Sequence, residues 1–296
     1  MAAIIKTTLL NRTVGVVTGA ASGIGAAALE CFAAAGAHAI YAADIKAPTN
    51  TDLKAKGYDS EVIGVACDIT KEDQVEALVR RIIKDQGRLD WFFANAGIVD
   101  FEVLNTTTSS GLTRMLDVNV VGAFNSVQWA ARGMMNTSDA KPKSGGSIII
   151  TTSLATTFGG MGAPAYTISK HATVGLVRSA ATNLKMAGTG IRVNGVGPGP
   201  TQTNIGQNNV GAASEQARNA MMAKMGAMAQ APPEAAALMA ENVAPPELIA
   251  QTAVFLASDM SGGVNGENII VDKGLRQLPD PMSGLMFQPV FEPIDV

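Results

Sequence analysis

A tyrosine and a lysine stand four residues apart in "YTISK", residues 166–170. On a helix that spacing places Tyr166 and Lys170 on one face, a turn apart. A phenol can give or take a proton, and a neighbouring ammonium favours the phenolate. A free tyrosine titrates near pH 10, so exchange around neutrality needs a shift of roughly 3 units, or about 4 kcal/mol. The same pair could equally decorate a solvent-facing helix. Which it is depends on what the rest of the chain supplies.

A second stretch supplies a place for a phosphate. "TGAASGIG", residues 18–25, has glycines at Gly19, Gly23 and Gly25, with Ser22 and Ile24 between them. It lies between an apolar strand-like run and the first helix-like segment. Glycines there permit a tight turn and let the backbone approach a pyrophosphate at a helix N-terminus. A plain flexible turn is the simpler alternative, which the strand–turn–helix placement disfavours. Asp44, followed by Ile45, ends the second strand-like run, 25 residues after Gly19. A carboxylate there accepts from the 2′-hydroxyl of NAD and repels the 2′-phosphate of NADP. Ser22 offers no charge to hold an extra phosphate, although Lys46 lies two residues beyond Asp44. NAD is therefore the expected cofactor.

These groups need a scaffold, and the hydrophobic pattern describes one. Strand-like runs fall at 13–19, 37–44, 61–68, 89–97, 147–153, 191–199 and 267–272. Helical stretches lie between them at 23–35, from Thr70 to about Asp85, 109–135, 165–186 and 247–257. "TKED" reads as a capping box with Thr70 as N-cap and Asp73 three residues on, and Gly36 and Gly87 close their helices. The strands are continuous apolar runs, which implies burial on both faces. The expected fold class is α/β: a Rossmann-like, doubly wound parallel sheet of about seven strands in one domain, residues 1–274. No repeat or linker divides it.

Composition excludes several alternatives. Of 296 residues, 47% are hydrophobic and 16% charged, enough for one buried core and too little charge for a disordered chain. The net charge is −3, and no Lys/Arg run exceeds two, which argues against nucleic acid as a partner. Two cysteines, Cys31 and Cys67, cannot build a disulfide framework and fit a reduced, cytoplasmic setting. The N-terminal residues hold no secretory apolar stretch, and the longest charge-free run, 144–169, is broken by Gly, Thr, Ser and Pro, so no membrane span is expected. His38 and His171 lack metal-ligand partners at useful spacing and read as structural or interface residues; no metal is expected.

With these pieces in order, the sequence resembles the short-chain dehydrogenase/reductase family from about residue 12 to 274. The resemblance rests on "TGAASGIG", "CDI" at 67–69, "NAG" at 95–97, "NV" at 119–120, Ser153, "YTISK" and "NGVGPGPTQT" at 194–203. It implies an adenine contact from Asp68 and Ile69, and a cofactor-lining turn from Asn95, Ala96 and Gly97. It implies a nicotinamide contact from Pro198, Gly199, Thr201 and Thr203. Asn119 would hold a proton-relay water, Ser153 would orient the substrate oxygen, and Tyr166 would be the acid/base. Lys170 would lower the Tyr166 pKa and bind the cofactor ribose. Taken singly, Asn95, Asn119 and Ser153 could each be structural. The last strand ends "VDKG", where the family more often has Asp-Gly-Gly, which bears on a turn or a subunit contact.

The chemistry so implied is interconversion of a secondary alcohol and a ketone. A binding-only dinucleotide sensor or scaffold of the same fold is the alternative; it would need the glycine turn but not Tyr166 and Lys170 together. Residues 204–245 resemble a substrate-covering loop rich in methionine: Met221, Met222, Met225, Met228 and Met239. Core packing, a subunit contact or a lid over a bulky apolar, cyclic substrate all fit that composition. The tail, 275–296, carries apolar residues including Leu285, Phe287 and Phe291, too many for a bare terminus. The resemblance implies dimers or tetramers in which the C-terminal region meets a neighbouring subunit, so a homo-oligomer is expected, a tetramer of twofold symmetry in preference to a dimer, with the tail across a subunit boundary; a tail folded back on its own subunit is the alternative.

Overall fold

The computed structural model describes residues 2–49, 52–100, 102–157, 163–203, 205 and 241–277. The Met-rich loop, apart from its two ends, and the tail beyond Gln277 lie outside the described residues.

Strands and helices alternate as the apolar runs predict. Strand β1 (Val14–Thr18) leads to helix α1 (Gly23–Ala34), then β2 (Ala39–Asp44), β3 (Glu61–Ala66) and α2 (Glu72–Gln86). Next come β4 (Trp91–Ala94), α3 (Ser109–Leu116) and α4 (Ala123–Met135). Then follow β5 (Gly146–Thr151), α5 (Pro164–Met186), β6 (Ile191–Pro198), α6 (Pro246–Ala257) and β7 (Asn268–Val271). All seven strands are parallel in the order β3-β2-β1-β4-β5-β6-β7. The chain winds outward from β1 in one direction and resumes at β4 in the other. That reversal leaves a crevice at the carboxyl ends of β1 and β4.

Successive strand residues serve opposite faces. Val16, Tyr41 and Phe92 join the core under α2, α4 and α5, while Val17, Ile40 and Phe93 join the core under α1 and α6. The second core is closed by Trp91, whose ring stacks on Phe32 at 4.0 Å between centroids. Gly15 on β1 makes this fit: a Cβ there would lie 2.0 Å from the Trp91 ring. Fully burying a side chain of this size contributes of order 1.5–3 kcal/mol.

Two sequence expectations are corrected. The capping box at α2 does not form. The N-cap is Lys71, and Thr70 instead turns back, its amide and hydroxyl both donating to Asp68 Oδ1 at 2.9 and 2.8 Å. A short acidic side chain two residues upstream competes for the groups a cap would use. The helix expected at 109–135 is interrupted by a π-helical stretch, Asp117–Gly122, between α3 and α4. Such stretches loosen the backbone ladder and concentrate at functional sites.

Candidate active site

The carboxyl ends of β1, β2, β4, β5 and β6 bring most of the expected residues to one edge of the sheet. Gly19 and Gly23 adopt φ of +66° and +53°, which glycine tolerates and other residues resist. A Cβ on Gly19 would lie 2.9 Å from the Ala96 Cα, and one on Gly25 would lie 2.0 Å from the Gly19 carbonyl oxygen. A Cβ on Gly23 would lie 3.2 Å from the Thr203 side chain. The first turn of α1, which follows Ser22 as N-cap, contains no acidic residue to compete for an anion. A cradle that side chains would fill, at the N-terminus of α1, fits a dinucleotide pyrophosphate.

Asp44 both anchors this turn and faces its opening. Its Oδ2 accepts from the Ala21 amide at 3.0 Å and its Oδ1 from the Ile45 amide at 2.8 Å. A carboxylate has about four acceptor sites, so two bonds leave capacity for a ribose hydroxyl. Ile45 beside it is 73% exposed, an apolar surface next to the cradle. Asp68 is half-buried, whereas the Ile69 side chain points into the core and packs on Gly122. Of that pair, Asp68 is the one whose side chain the core does not occupy.

At β4 the turn Asn95–Gly97 is clamped rather than free. The Thr18 hydroxyl accepts from the Asn95 and Ala96 amides at 3.0 and 3.1 Å. The Asn95 side chain donates to the Thr18 carbonyl at 3.0 Å and accepts from the Thr151 hydroxyl at 3.1 Å. Asn95 thus ties β1 to β5 beneath the crevice, a structural role that leaves its backbone to line the site. Gly199 and Thr201 are held by the turn after β6. The Gly199 amide donates to the Val271 carbonyl at 2.9 Å, and the Thr201 hydroxyl donates to the Gly199 carbonyl at 2.9 Å. Pro198 ends β6 just before them.

Ser153, Tyr166 and Lys170 come together beside this crevice. Ser153 follows β5 and is buried; its Oγ accepts from the Ala155 amide at 3.1 Å, and it lies close enough to the Tyr166 phenol to pull its pKa down. Tyr166 and Lys170 lie one turn apart on α5, with Lys170 Nζ 5.8 Å from the Tyr166 ring centre. The Lys170 ammonium is buried and donates to the Thr151 carbonyl at 2.8 Å. Gly97 leaves the space in front of it: a Cβ there would lie 3.6 Å from Lys170 Nζ and 3.1 Å from Asn119 Oδ1.

The electrostatics differ from the sequence expectation. Burial raises the Tyr166 pKa above its usual value, against the smaller pull of the Ser153 hydrogen bond. Burial also lowers Lys170, to about 8. In the protein by itself desolvation outweighs any pull of the lysine on the phenol, because both charged forms lose water on entering the same buried site. A lowered Tyr166 pKa needs a further positive charge at the crevice.

Asn119 sits in the π-helical stretch, and its side chain is held on both sides. Its Oδ1 accepts from the Ile98 amide at 2.9 Å, and its Nδ2 donates to the Ile98 carbonyl at 2.9 Å and the Ser169 hydroxyl at 3.0 Å. With both amide protons of the side chain committed, the relay expected of Asn119 would fall to its backbone. Ser169 and Thr18 went unmarked in the sequence, although Ser169 lies inside "YTISK"; its hydroxyl donates to the Tyr166 carbonyl at 2.7 Å and joins α5 to Asn119. His171 pairs with the Thr167 carbonyl at 2.9 Å, and His38 joins the sheet through its backbone, both structural. Cys31 and Cys67 are buried. Among the described residues no cluster could hold a metal ion, and no helix is long and apolar enough to cross a membrane.

A family model described as enoyl-(acyl carrier protein) reductase matches residues 19–276. "Short-chain dehydrogenase reductase 4" of Arabidopsis thaliana is 35% identical over 267 residues, 90% of this chain and 83% of that one. "(+)-Borneol dehydrogenase 1" of Salvia officinalis is 34% identical over 271 residues, 90% of this chain and 94% of that one. Among solved structures, a short chain dehydrogenase from Mycobacterium paratuberculosis bound to NAD superposes with a TM-score of 0.73. It is 31% identical and covers 91% of this chain and 100% of its own.

Proposed function

The chain belongs to the short-chain dehydrogenase/reductase family of oxidoreductases, and from that premise we propose an NAD-dependent enzyme that interconverts a secondary alcohol and a ketone on a bulky apolar, cyclic small molecule. The observation that carries this reading is the convergence of Ser153, Tyr166 and Lys170 beside the glycine cradle. A binding-only protein has no use for a phenol beside a serine hydroxyl and backed by a buried lysine.

Gly19, Ser22, Gly23, Ile24 and Gly25 would hold the pyrophosphate, with Asp44 and Ile45 at the adenosine ribose and Asp68 and Ile69 near the base. Asn95, Ala96, Gly97, Pro198, Gly199, Thr201 and Thr203 would line the remainder, and Lys170 would bind the nicotinamide ribose. The bound cofactor supplies the hydride acceptor or donor and, when oxidised, a positive charge near Tyr166. Ser153 donates to the substrate oxygen and aligns it with Tyr166, which takes the alcohol proton or gives one to the ketone oxygen. Lys170 keeps the region cationic at neutral pH, and the Asn119 backbone passes the proton toward solvent through water. Lys170 alone does not pull the phenol below its usual pKa, so the lowering would depend on the positive charge of an oxidised cofactor.

Asp44 favours NAD, and the NAD-bound structural neighbour supports that choice. The borneol-oxidising relative supports a cyclic terpenoid-like substrate. A homo-oligomer is part of the proposal, a tetramer or dimer, supported by exposed Phe124 and Met135 on α4 and Ile168 on α5. A cytoplasmic location is part of the same reading, supported by two cysteines that stand free and buried. Steady-state assays of NAD⁺ and NADP⁺ reduction with borneol and other cyclic alcohols test the reaction. No turnover on such a panel would return the chain to the binding-only reading.

A further inference from the structure

The turn carrying Ser153 is held from the far edge of the sheet. Thr152 and Thr156 stand on either side of Ser153, and both hydroxyls meet one side chain, Asn268, at the start of edge strand β7. The Thr152 hydroxyl donates to Asn268 Oδ1 at 2.6 Å. Asn268 Nδ2 donates to the Thr156 hydroxyl at 3.1 Å. The Thr156 hydroxyl spends its single proton on the Ser153 carbonyl at 2.6 Å. The chain of donors therefore has one direction, from Asn268 through Thr156 to the Ser153 backbone.

Strand β6 lies between β5 and β7, and the bridge crosses over it because two glycines make room. Gly195 is the register partner of Asn268. A Cβ on Gly195 would lie 2.7 Å from Asn268 Oδ1 and 2.9 Å from the Thr152 methyl. A Cβ on Gly197 would lie 2.9 Å from the Thr152 hydroxyl. Without both glycines the carboxamide could not reach Thr152. The alternating glycines of "NGVGPG" thus have a purpose beyond packing, and they align with the hydroxyls flanking Ser153.

We infer that Asn268 is a positioning residue for the reaction, holding the Thr152–Thr156 turn so that the Ser153 hydroxyl keeps its place beside Tyr166; this rests on the role proposed for Ser153. Asn268→Asp is the sharpest probe. A carboxylate cannot donate to Thr156, so it draws the Thr156 proton away from the Ser153 carbonyl. Thr156→Val removes the link with almost no change of shape, and Thr156→Ser restores it.

The test is a mutant cycle with NAD⁺ and borneol. Asn268→Asp and Thr156→Val should each lower kcat/KM for borneol by about ten-fold or more, within the range of a disturbed proton-transfer geometry. The KM for NAD⁺ should stay within about two-fold, and Thr156→Ser should behave as wild type. In a Ser153→Ala background neither change should cost anything further, since the loss runs through Ser153. An equal loss in both backgrounds, or no loss in either, overturns the inference.

A second arm needs no activity. The Ala155 amide donates to Ser153 Oγ. Its hydrogen exchange in the cofactor-free protein should quicken in Asn268→Asp and Thr156→Val while the core of β4 stays protected. If borneol is not turned over, the proposed reaction fails on that substrate and this arm alone decides. Unchanged Ala155 exchange then overturns the positioning role.

Discussion

The Lys170 ammonium donates to the Thr151 carbonyl at 2.8 Å, in a buried site at the carboxyl end of β5. One neutral acceptor does not replace the water this charge has lost, and burial lowers its pKa from 10.5 to about 8. Between those values the unfolded chain binds a proton that the native chain has released. Native stability from this group therefore rises with pH from about 8 to about 10.5. Below about 8 both states are protonated and the contribution is flat. Urea unfolding of the cofactor-free protein from pH 7 to 10 should show wild type gaining on Lys170→Met as pH rises. Parallel curves would place the lysine in water.

Asp44 should set the choice between cofactors. Wild type should bind NAD⁺ more tightly than NADP⁺, and Asp44→Ala should narrow the gap by about 10- to 100-fold, the worth of a charge-assisted hydrogen bond. Because Asp44 also holds the Ala21 amide, Asp44→Asn serves as the milder control. Titration calorimetry of both dinucleotides decides it. Tighter NADP⁺ binding by wild type would reverse the assignment.

Gly97 should resist a single methyl group. A Cβ there would stand 3.1 Å from Asn119 Oδ1 and 3.6 Å from Lys170 Nζ. Gly97→Ala should therefore lower kcat/KM by roughly 10- to 100-fold through displacement of those groups, with little change in melting temperature. Full activity in the variant would mean that the Asn119–Lys170 region yields freely.

Much of this was legible before the structure, and the reasons are physical. Strands such as "TVGVVTG" are buried on both faces and so read as unbroken apolar runs. Glycines that need a positive φ or a close approach, such as Gly19 and Gly25, cannot be replaced silently. What failed to show depends on hydrogen-bond partners rather than on residue type. Thr70 looks like a cap until Asp68 captures it, and the π-helical stretch around Asn119 leaves no mark in an apolar period. The rise in the Tyr166 pKa reflects burial, which "YTISK" cannot report. Asn268 meets Thr152 and Thr156 across 116 and 112 residues of chain, so no local pattern joins them.

The assembly is open to a direct measurement. Phe124 on α4 and Ile168 on α5 are each 50% exposed, and the tail expected at a subunit boundary is residues 275–296. Light scattering should give the mass of a tetramer or dimer, and deleting residues 279–296 should lower the mass or alter the kinetics. A monomeric wild type would refute the assembly, and an unchanged oligomer with unchanged kinetics would remove the tail from it.

The central claim is that Tyr166 moves the substrate proton. Tyr166→Phe keeps the ring and removes the hydroxyl that lies beside Ser153. With NAD⁺ and borneol, turnover should fall by about 10²- to 10⁴-fold, while the dissociation constant for NAD⁺, measured by fluorescence titration, stays within about three-fold, since the phenol makes little of the binding energy. A variant that keeps more than about a tenth of wild-type turnover, where loss of an acid/base group should cost far more, would contradict the account.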